Sequence, residues 1–212
     1  VKLICVNDYK FKLNKISAEI NGSTVTNEGN TSGRFIVRQI DENDNVIGSP
    51  LKNNEWITGT QQIDEKTNVK AGTSYRYLIE ETEANSEHQI IYKKIVVKIT
   101  VLEDGTIQPI IEKIDDEKYS DRHKKYVAIE YSKENGVLLK IANYKKKDIK
   151  LQLIKLDEKQ KQINARFDLT RNNQSIWENE LVSGNKEFLD EKIDYNKTYT
   201  YNGDSASHPD SS

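Results

Sequence analysis

Apolar and polar residues alternate along much of this chain with a period of two, the spacing that sends successive side chains to opposite faces of a β-strand. Residues 9–16, 33–40, 74–81, 92–102, 126–131 and 137–143 are rich in β-branched and aromatic side chains, and clusters of Asn, Asp and Gly separate them. These runs predict strands. Helical periodicity is confined to the charged stretch 112–125, which predicts a turn or two of helix inside a loop. Strands in this number and at this spacing predict an all-β sandwich.

One pattern occurs twice. Val1, Leu3, Cys5 and Asn7 share a strand face, and the next strand places Phe11, Leu13 and Lys15 on one face; Val137, Leu139, Ile141 and Asn143 are followed in the same way by Leu151, Leu153 and Lys155. A repeated last strand followed by a repeated first strand reads as the boundary between tandem domains. Residues 1–8 are then expected to be the last strand of a preceding repeat, 9–146 a complete repeat, and 147–202 an incomplete following one. The small, polar run 203–212 is expected to be a disordered tail or a cloning scar.

Composition narrows the partners. The 212 residues carry a formal net charge of −2 with both signs interspersed, which gives no reason to expect nucleic acid. No stretch approaches the length of a membrane helix, so no membrane insertion is expected in this segment. The single cysteine, Cys5, cannot form an internal disulfide and reads as a small inward-facing residue. The chain holds no Met, as expected of a segment cut from a longer protein whose targeting signals lie elsewhere.

Several motifs read as ordinary structure. Asp41-Glu42-Asn43-Asp44-Asn45 resembles the start of a calcium loop, but Val46 stands where the sharp turn needs glycine and Lys52 where the bidentate glutamate belongs. A polar hairpin turn is the expectation there, and a tight turn at Glu103-Asp104-Gly105. His88, His123 and His208 lie in loop-like sequence with no ligand-spaced partner, and are expected to be solvated. Lys145, Lys146 and Lys147 read as a solvated linker. No metal site, cofactor or conventional turnover constellation is expected.

The lysine and the asparagine are the unusual positions. Inward parity buries them with the apolar residues, and a lysine in a core is costly unless it is paired, neutralised or consumed by chemistry. On the strand 74–81, Tyr75, Tyr77, Ile79 and Glu81 share a face, so Glu81 is expected inward too. Burial lowers the pKa of lysine and raises that of glutamic acid. A neutral Lys15 amine is a nucleophile, the Asn143 side-chain amide is its electrophile, and Glu81 can polarise the carbonyl and carry protons to departing ammonia. The other reading is a snorkelling Lys15 in an ordinary ion pair with Glu81, with Asn143 capping a strand.

Phe-Lys-Leu-Asn-Lys at 11–15, the Tyr-Xaa-Xaa-Xaa-Glu-Thr that ends at Thr82, and Ile-Ala-Asn at 141–143 resemble the B-type domains of Gram-positive collagen-binding adhesins and the related pilin domains. Leu151 to Lys155 with Asp157, and then Ala165-Arg166-Phe167-Asp168-Leu169, are similar to the opening of such a domain. The resemblance implies tandem Ig-like or prealbumin-like β-sandwiches and a spontaneous isopeptide bond between Lys15 and Asn143, assisted by Glu81. It implies that Asn7 and Lys155 are the corresponding crosslink residues of the flanking repeats. It further implies a stalk segment of an extracellular, cell-wall-anchored surface protein, whose partners are the neighbouring repeats. A host matrix protein is an alternative partner, through the loops at 21–32 and 112–125. The chain departs from the family where a Pro-Xaa-Gly-Tyr turn often follows the glutamate: it has Ala84-Asn85-Ser86-Glu87 instead.

Overall fold

The computed structural model describes residues 6–205 and divides the chain into two compact units that meet between Lys145 and Lys146. The first unit contains β1 (Val6–Asn21), β2 (Thr24–Asn30), β3 (Ser32–Ile40), β4 (Val46–Thr58), β5 (Thr60–Lys70), β6 (Ser74–Ala84), β7 (His88–Ile90), β8 (Lys94–Val101), β9 (Ile107–Ile114), β10 (Glu117–Lys118), β11 (Val127–Ser132) and β12 (Gly136–Lys145). They form two sheets. One has the order β11-β12-β1-β2, with β5 on β1 and β7 on β12; the other runs β10-β9-β8-β6-β3-β4. The chain is all-β, and no helix occurs among the described residues.

Strand β1 organises the first sheet. One edge is shared by β5, along its first half, and β2, along its second, while the other edge pairs in parallel with β12. Its alternate residues Tyr9, Phe11, Leu13 and Lys15 are buried. With Val137, Leu139 and Ile141 of β12 they face Phe35, Val37, Tyr77, Ile79, Val97 and Ile99 of the second sheet. Each such side chain contributes roughly 1.5–3 kcal/mol on burial. A polar chain crosses this core: the Tyr9 and Tyr77 hydroxyls lie 3.1 Å apart, and Tyr77 donates to Asp64 at 2.8 Å.

The structure departs from several expectations. Stretch 112–125 is not helical: β9 continues to Ile114, and Asp115 and Asp116 both adopt positive φ, of 47° and 66°, in a tight hairpin turn into β10. Residues 24–30 form β2, so the loop expected at 21–32 is largely strand. His123 is buried at 1% exposure rather than solvated. Its ring stacks on Tyr119, meets Tyr92 edge-on, and accepts the Ser120 backbone N–H through Nδ1 at 3.0 Å. His208 and Cys5 lie outside the described residues. Asp41 closes its turn by accepting from the backbone N–H groups of Asn43 and Asn45.

Of the segment 1–8, Val6 to Asp8 belong to β1, where Val6 pairs with Lys70 and Asn7 with Val69 of β5. Strand β1 therefore begins before residue 9.

The second unit contains β13 (Lys147–Ile154), β14 (Asn164–Arg171), β15 (Gln174–Ser183), β16 (Asn185–Ile193) and β17 (Tyr201–Ser205). Strand β13 pairs with β16, and the second sheet runs β15-β14-β17. Gly203, Asp204 and Ser205, expected in the tail, instead pair with Leu169, Asp168 and Phe167. Its strand pairings follow those of part of the first unit. The β13–β16 pair matches β1–β5, and β15-β14-β17 matches β4-β3-β6. Its core is sparse: Phe167, Leu169 and Val182 are its buried apolar side chains among the described residues, while Leu181 and Leu189 are exposed. A cavity of about 190 Å³ lies among Leu151, Leu153, Trp177 and Phe188.

Such a core should open locally at lower free energy than that of the first unit. Amide hydrogen exchange should therefore be faster in β13–β17 than in β1, β6, β8 and β12. Equal protection in the two units would show that the thin core is completed by contacts outside the described residues.

Candidate functional site

Lys15, Glu81 and Asn143 converge at one end of the first unit's core. Lys15 comes from β1 and Asn143 from β12, and the parallel register pairs Lys15 with Ile141 and Ser17 with Asn143. The two side chains are thus diagonal neighbours on one face of adjacent strands. Glu81 comes from β6 in the facing sheet. Lys15 and Asn143 are fully buried, and Glu81 is 4% exposed.

The carboxylate bridges the other two. Lys15 Nζ donates to Glu81 Oε2 at 2.9 Å, and Asn143 Nδ2 donates to Glu81 Oε1 at 2.5 Å. The Phe35 ring centroid lies 5.7 Å from Lys15 Nζ. The backbone of Lys15 is held on both sides: its N–H donates to the Gly59 carbonyl, and its carbonyl accepts from Thr31. Glu81 N–H donates to the Lys93 carbonyl. The Lys15 and Glu81 side chains therefore project from backbone that is hydrogen-bonded in place.

Burial dominates the electrostatics of the pair. Desolvation lowers the Lys15 pKa from 10.5 to about 8, outweighing the opposing attraction of Glu81. It raises the Glu81 pKa above the usual carboxylate range, against the pull of Lys15 and Asn143. Both shifts favour the neutral pair, an amine beside a carboxylic acid. Asn143 Oδ1 is buried and finds no hydrogen-bond donor among the described residues. An amide turned over about its Cβ–Cγ bond would present Oδ1 to Glu81, and a protonated Glu81 is the donor that carbonyl needs. The arrangement thus brings together a potential nucleophile, a carbonyl and a proton carrier in a buried enclosure.

Gly33 makes room for the carboxylate. A bulge between Arg34 and Phe35 sets Phe35 opposite Glu81, and a Cβ at Gly33 would lie 2.4 Å from Glu81 Oε1. A glycine isolated in a strand pattern is the sequence signal of such a close approach. A second polar group adjoins the site: Ser17, one inward step beyond Lys15, is buried and hydrogen-bonded to His88. The expectation of a solvated His88 hid this contact, since the ring is half-buried on β7.

The two flanking candidates lie elsewhere. Asn7 sits against the β8–β9 turn, where a Cβ on Gly105 would be 3.2 Å from its Oδ1. Lys155 follows β13 and is half-buried, its carbonyl accepting from Ile163 N–H at 3.0 Å. In the second unit Phe167 pairs with Ser205, as Phe35 pairs with Glu81 in the first. Ser205 thus stands where the glutamate would be, and Ala165 where Gly33 would be.

No family model and no curated protein matches this chain. Solved structures similar to it include the C-terminal fragment of the pilus adhesin SpaC from Lactobacillus rhamnosus GG, at 15% identity and a TM-score of 0.41, covering 96% of this chain and 77% of that one. The shaft pilin SpaA from the same organism is similar at 10% identity and a TM-score of 0.33, over 96% of this chain and 89% of that one. A streptococcal ancillary pilin is similar at 12% identity and a TM-score of 0.32, over 96% and 54% of the two chains.

Proposed function

We propose that this chain is a stalk segment of a bacterial cell-surface adhesin or pilin-like protein, whose first unit crosslinks itself through an amide between Lys15 and Asn143. The observation that carries this reading is the burial of an amine, a carboxyl and a carboxamide in mutual contact inside an otherwise apolar core. The motif resemblance at 11–15, 77–82 and 141–143 supports the same reading. The reaction is a single self-modification. The Lys15 amine attacks the Asn143 side-chain carbonyl, the C–N bond to the amide nitrogen breaks, and ammonia leaves with a proton that Glu81 has carried from the amine. Fixed proximity supplies the rate.

The bond would suit a load-bearing part. Tension entering the unit along β1 and leaving along β12 would pass through the amide, and the chain between residues 15 and 143 would bear none of it. Wall anchoring and the attachment to neighbouring repeats are part of the proposal.

The purified chain should weigh one ammonia less than its sequence, and a digest should yield a branched peptide containing Lys15 and Asn143. An unmodified mass with the two peptides separate would sink the proposal.

Glu81→Ala should leave a folded unit in which the bond forms very slowly or not at all, since the amine and the ammonia lose their proton carrier. Glu80 pairs with Arg38 on the partly exposed opposite face, so Glu80→Ala should leave bond formation intact. Blockage by Glu80→Ala and not by Glu81→Ala would overturn the assignment.

The rate should follow a bell-shaped pH profile when denatured, unreacted chain is folded by dilution. Neutral Lys15 with protonated Glu81 holds as many protons as the ion pair, so the rate is level between the two apparent pKa values of the pair. Above about pH 8, the lowered pKa of Lys15, the pair loses its proton and the rate falls. Below the raised pKa of Glu81 the amine stays charged with no carboxylate to accept its proton. A rate that climbs steadily past pH 10 would contradict this role for Glu81.

A further inference from the structure

The strands around Asn143 close the site in a particular way. Ser17 of β1 is its register partner on one side, and Ile90 of β7 on the other. One inward step further along β7, His88 pairs with Lys145, and its ring reaches back across β12 to put Nε2 2.8 Å from Ser17 Oγ. Beyond the ring lies Asn85, which follows Glu81 in the turn where the chain departs from its family. Asn85 Nδ2 donates to Thr31 Oγ1 at 2.7 Å and also contacts Ser32 Oγ, so its Oδ1 is the acceptor facing His88 Nδ1 at 2.8 Å. Nδ1 therefore carries a proton, and in the neutral ring Nε2 accepts from Ser17.

Exposure falls along this chain from the half-buried His88, through Ser17 at 5%, to Asn143 at 0%. Thr31, which also touches His88 Nδ1, donates its backbone N–H to the Lys15 carbonyl. The hydrogen-bonded groups Thr31, Asn85, His88 and Ser17 thus line the end of the core beside Asn143.

A carbonyl polarised enough for an amine is also open to water. Attack by Lys15 forms the Lys15–Asn143 amide and releases ammonia. Attack by water adds oxygen to the same carbon, releases ammonia equally, and leaves an aspartate side chain at position 143. The first joins the strands and the second destroys the electrophile.

We propose that His88 and Ser17 form a latch across β12 that keeps water from Asn143, and so determine that the amide is attacked by Lys15 rather than hydrolysed. This rests on the crosslinking reading above. The latch residues act by closing the site and are not themselves reactants.

The test is product partition in the full chain, folded from the denatured, unreacted state in water enriched in heavy oxygen. Wild type should give the crosslinked product with no label at position 143. His88→Ala should raise the yield of hydrolysed product, carrying labelled aspartate in place of Asn143, about tenfold, the scale set by losing one neutral hydrogen bond. Ser17→Ala should act in the same direction, and His88→Gln, which restores an acceptor toward Ser17, should recover part of the selectivity. A purely structural role would lower thermal stability in all three variants without moving the ratio of products. Crosslinked wild type together with crosslinked, unlabelled His88→Ala would overturn the latch alone. Wild type of unmodified mass would overturn the crosslink, and the latch with it.

Discussion

The desolvation of Lys15 is the constraint on which the rest of the first unit turns. A fully buried ammonium is tolerable only with a partner, and Glu81 meets it at 2.9 Å. Such a pair is still weak evidence for stability, because the penalty for removing two charges from water commonly matches or exceeds their attraction. Residues of similar volume and no charge would hold the sheets together at least as well. The position is better explained by what the environment does to the groups: it drives the pair toward amine and acid, the forms in which they can react. An amide in place of the pair would remove both charges and with them the penalty.

Topology makes the pairing of Lys15 with Asn143 possible. Adjacent parallel strands cannot be joined by a short turn, so β1 and β12 lie at opposite ends of the unit's sequence while touching over eight register steps. An amide between them would close nearly the whole unit into one loop. By the chain-entropy argument used for disulfides, a loop of this size contributes on the order of 5 kcal/mol. Glu81 has to come from the opposite sheet, since the carboxylate must approach both partners from above their common face. The space at Gly33 permits that approach.

The site was more legible in the sequence than the fold around it. Parity alone places Lys15, Glu81 and Asn143 inward, because a strand half-buried on one face leaves a period-two trace that includes its polar members. Strands β4 and β5 leave no such trace: most of β4 is exposed, and in β5 Ile63 and Val69 are the buried apolar residues. In β9 a register shift opposite Val96 and Val97 sets the buried Ile111 and Ile114 three apart, and with Ile107 four residues earlier the spacing mimics a helix. His123 was opaque for a different reason. Its burial depends on Tyr92 and Tyr119 folding over a loop, and neither contact has a periodicity to read.

Comparison of the two units separates what the sandwich needs from what the buried Lys15–Glu81–Asn143 cluster needs. Tyr77 donates to Asp64 in the first unit, and in the second Tyr201 donates to Asp190 between the matching strands β17 and β16. That partly buried pair recurs where the glutamate does not, so it belongs to the fold: it ties the strand opposite β1, or β13, to the facing sheet. Glu81 and Gly33 change together, to Ser205 and Ala165, at positions set by the same register with Phe35 and Phe167. A methyl group at the glycine position costs nothing when no carboxylate has to lie against it. The glycine in the first unit, by contrast, sits in ordinary strand backbone that would accept a side chain, and a Cβ there would meet the Glu81 carboxylate first and the Phe35 ring at 3.0 Å next. The demand for glycine at 33 therefore comes from the carboxylate across the core rather than from the backbone of the strand that carries it.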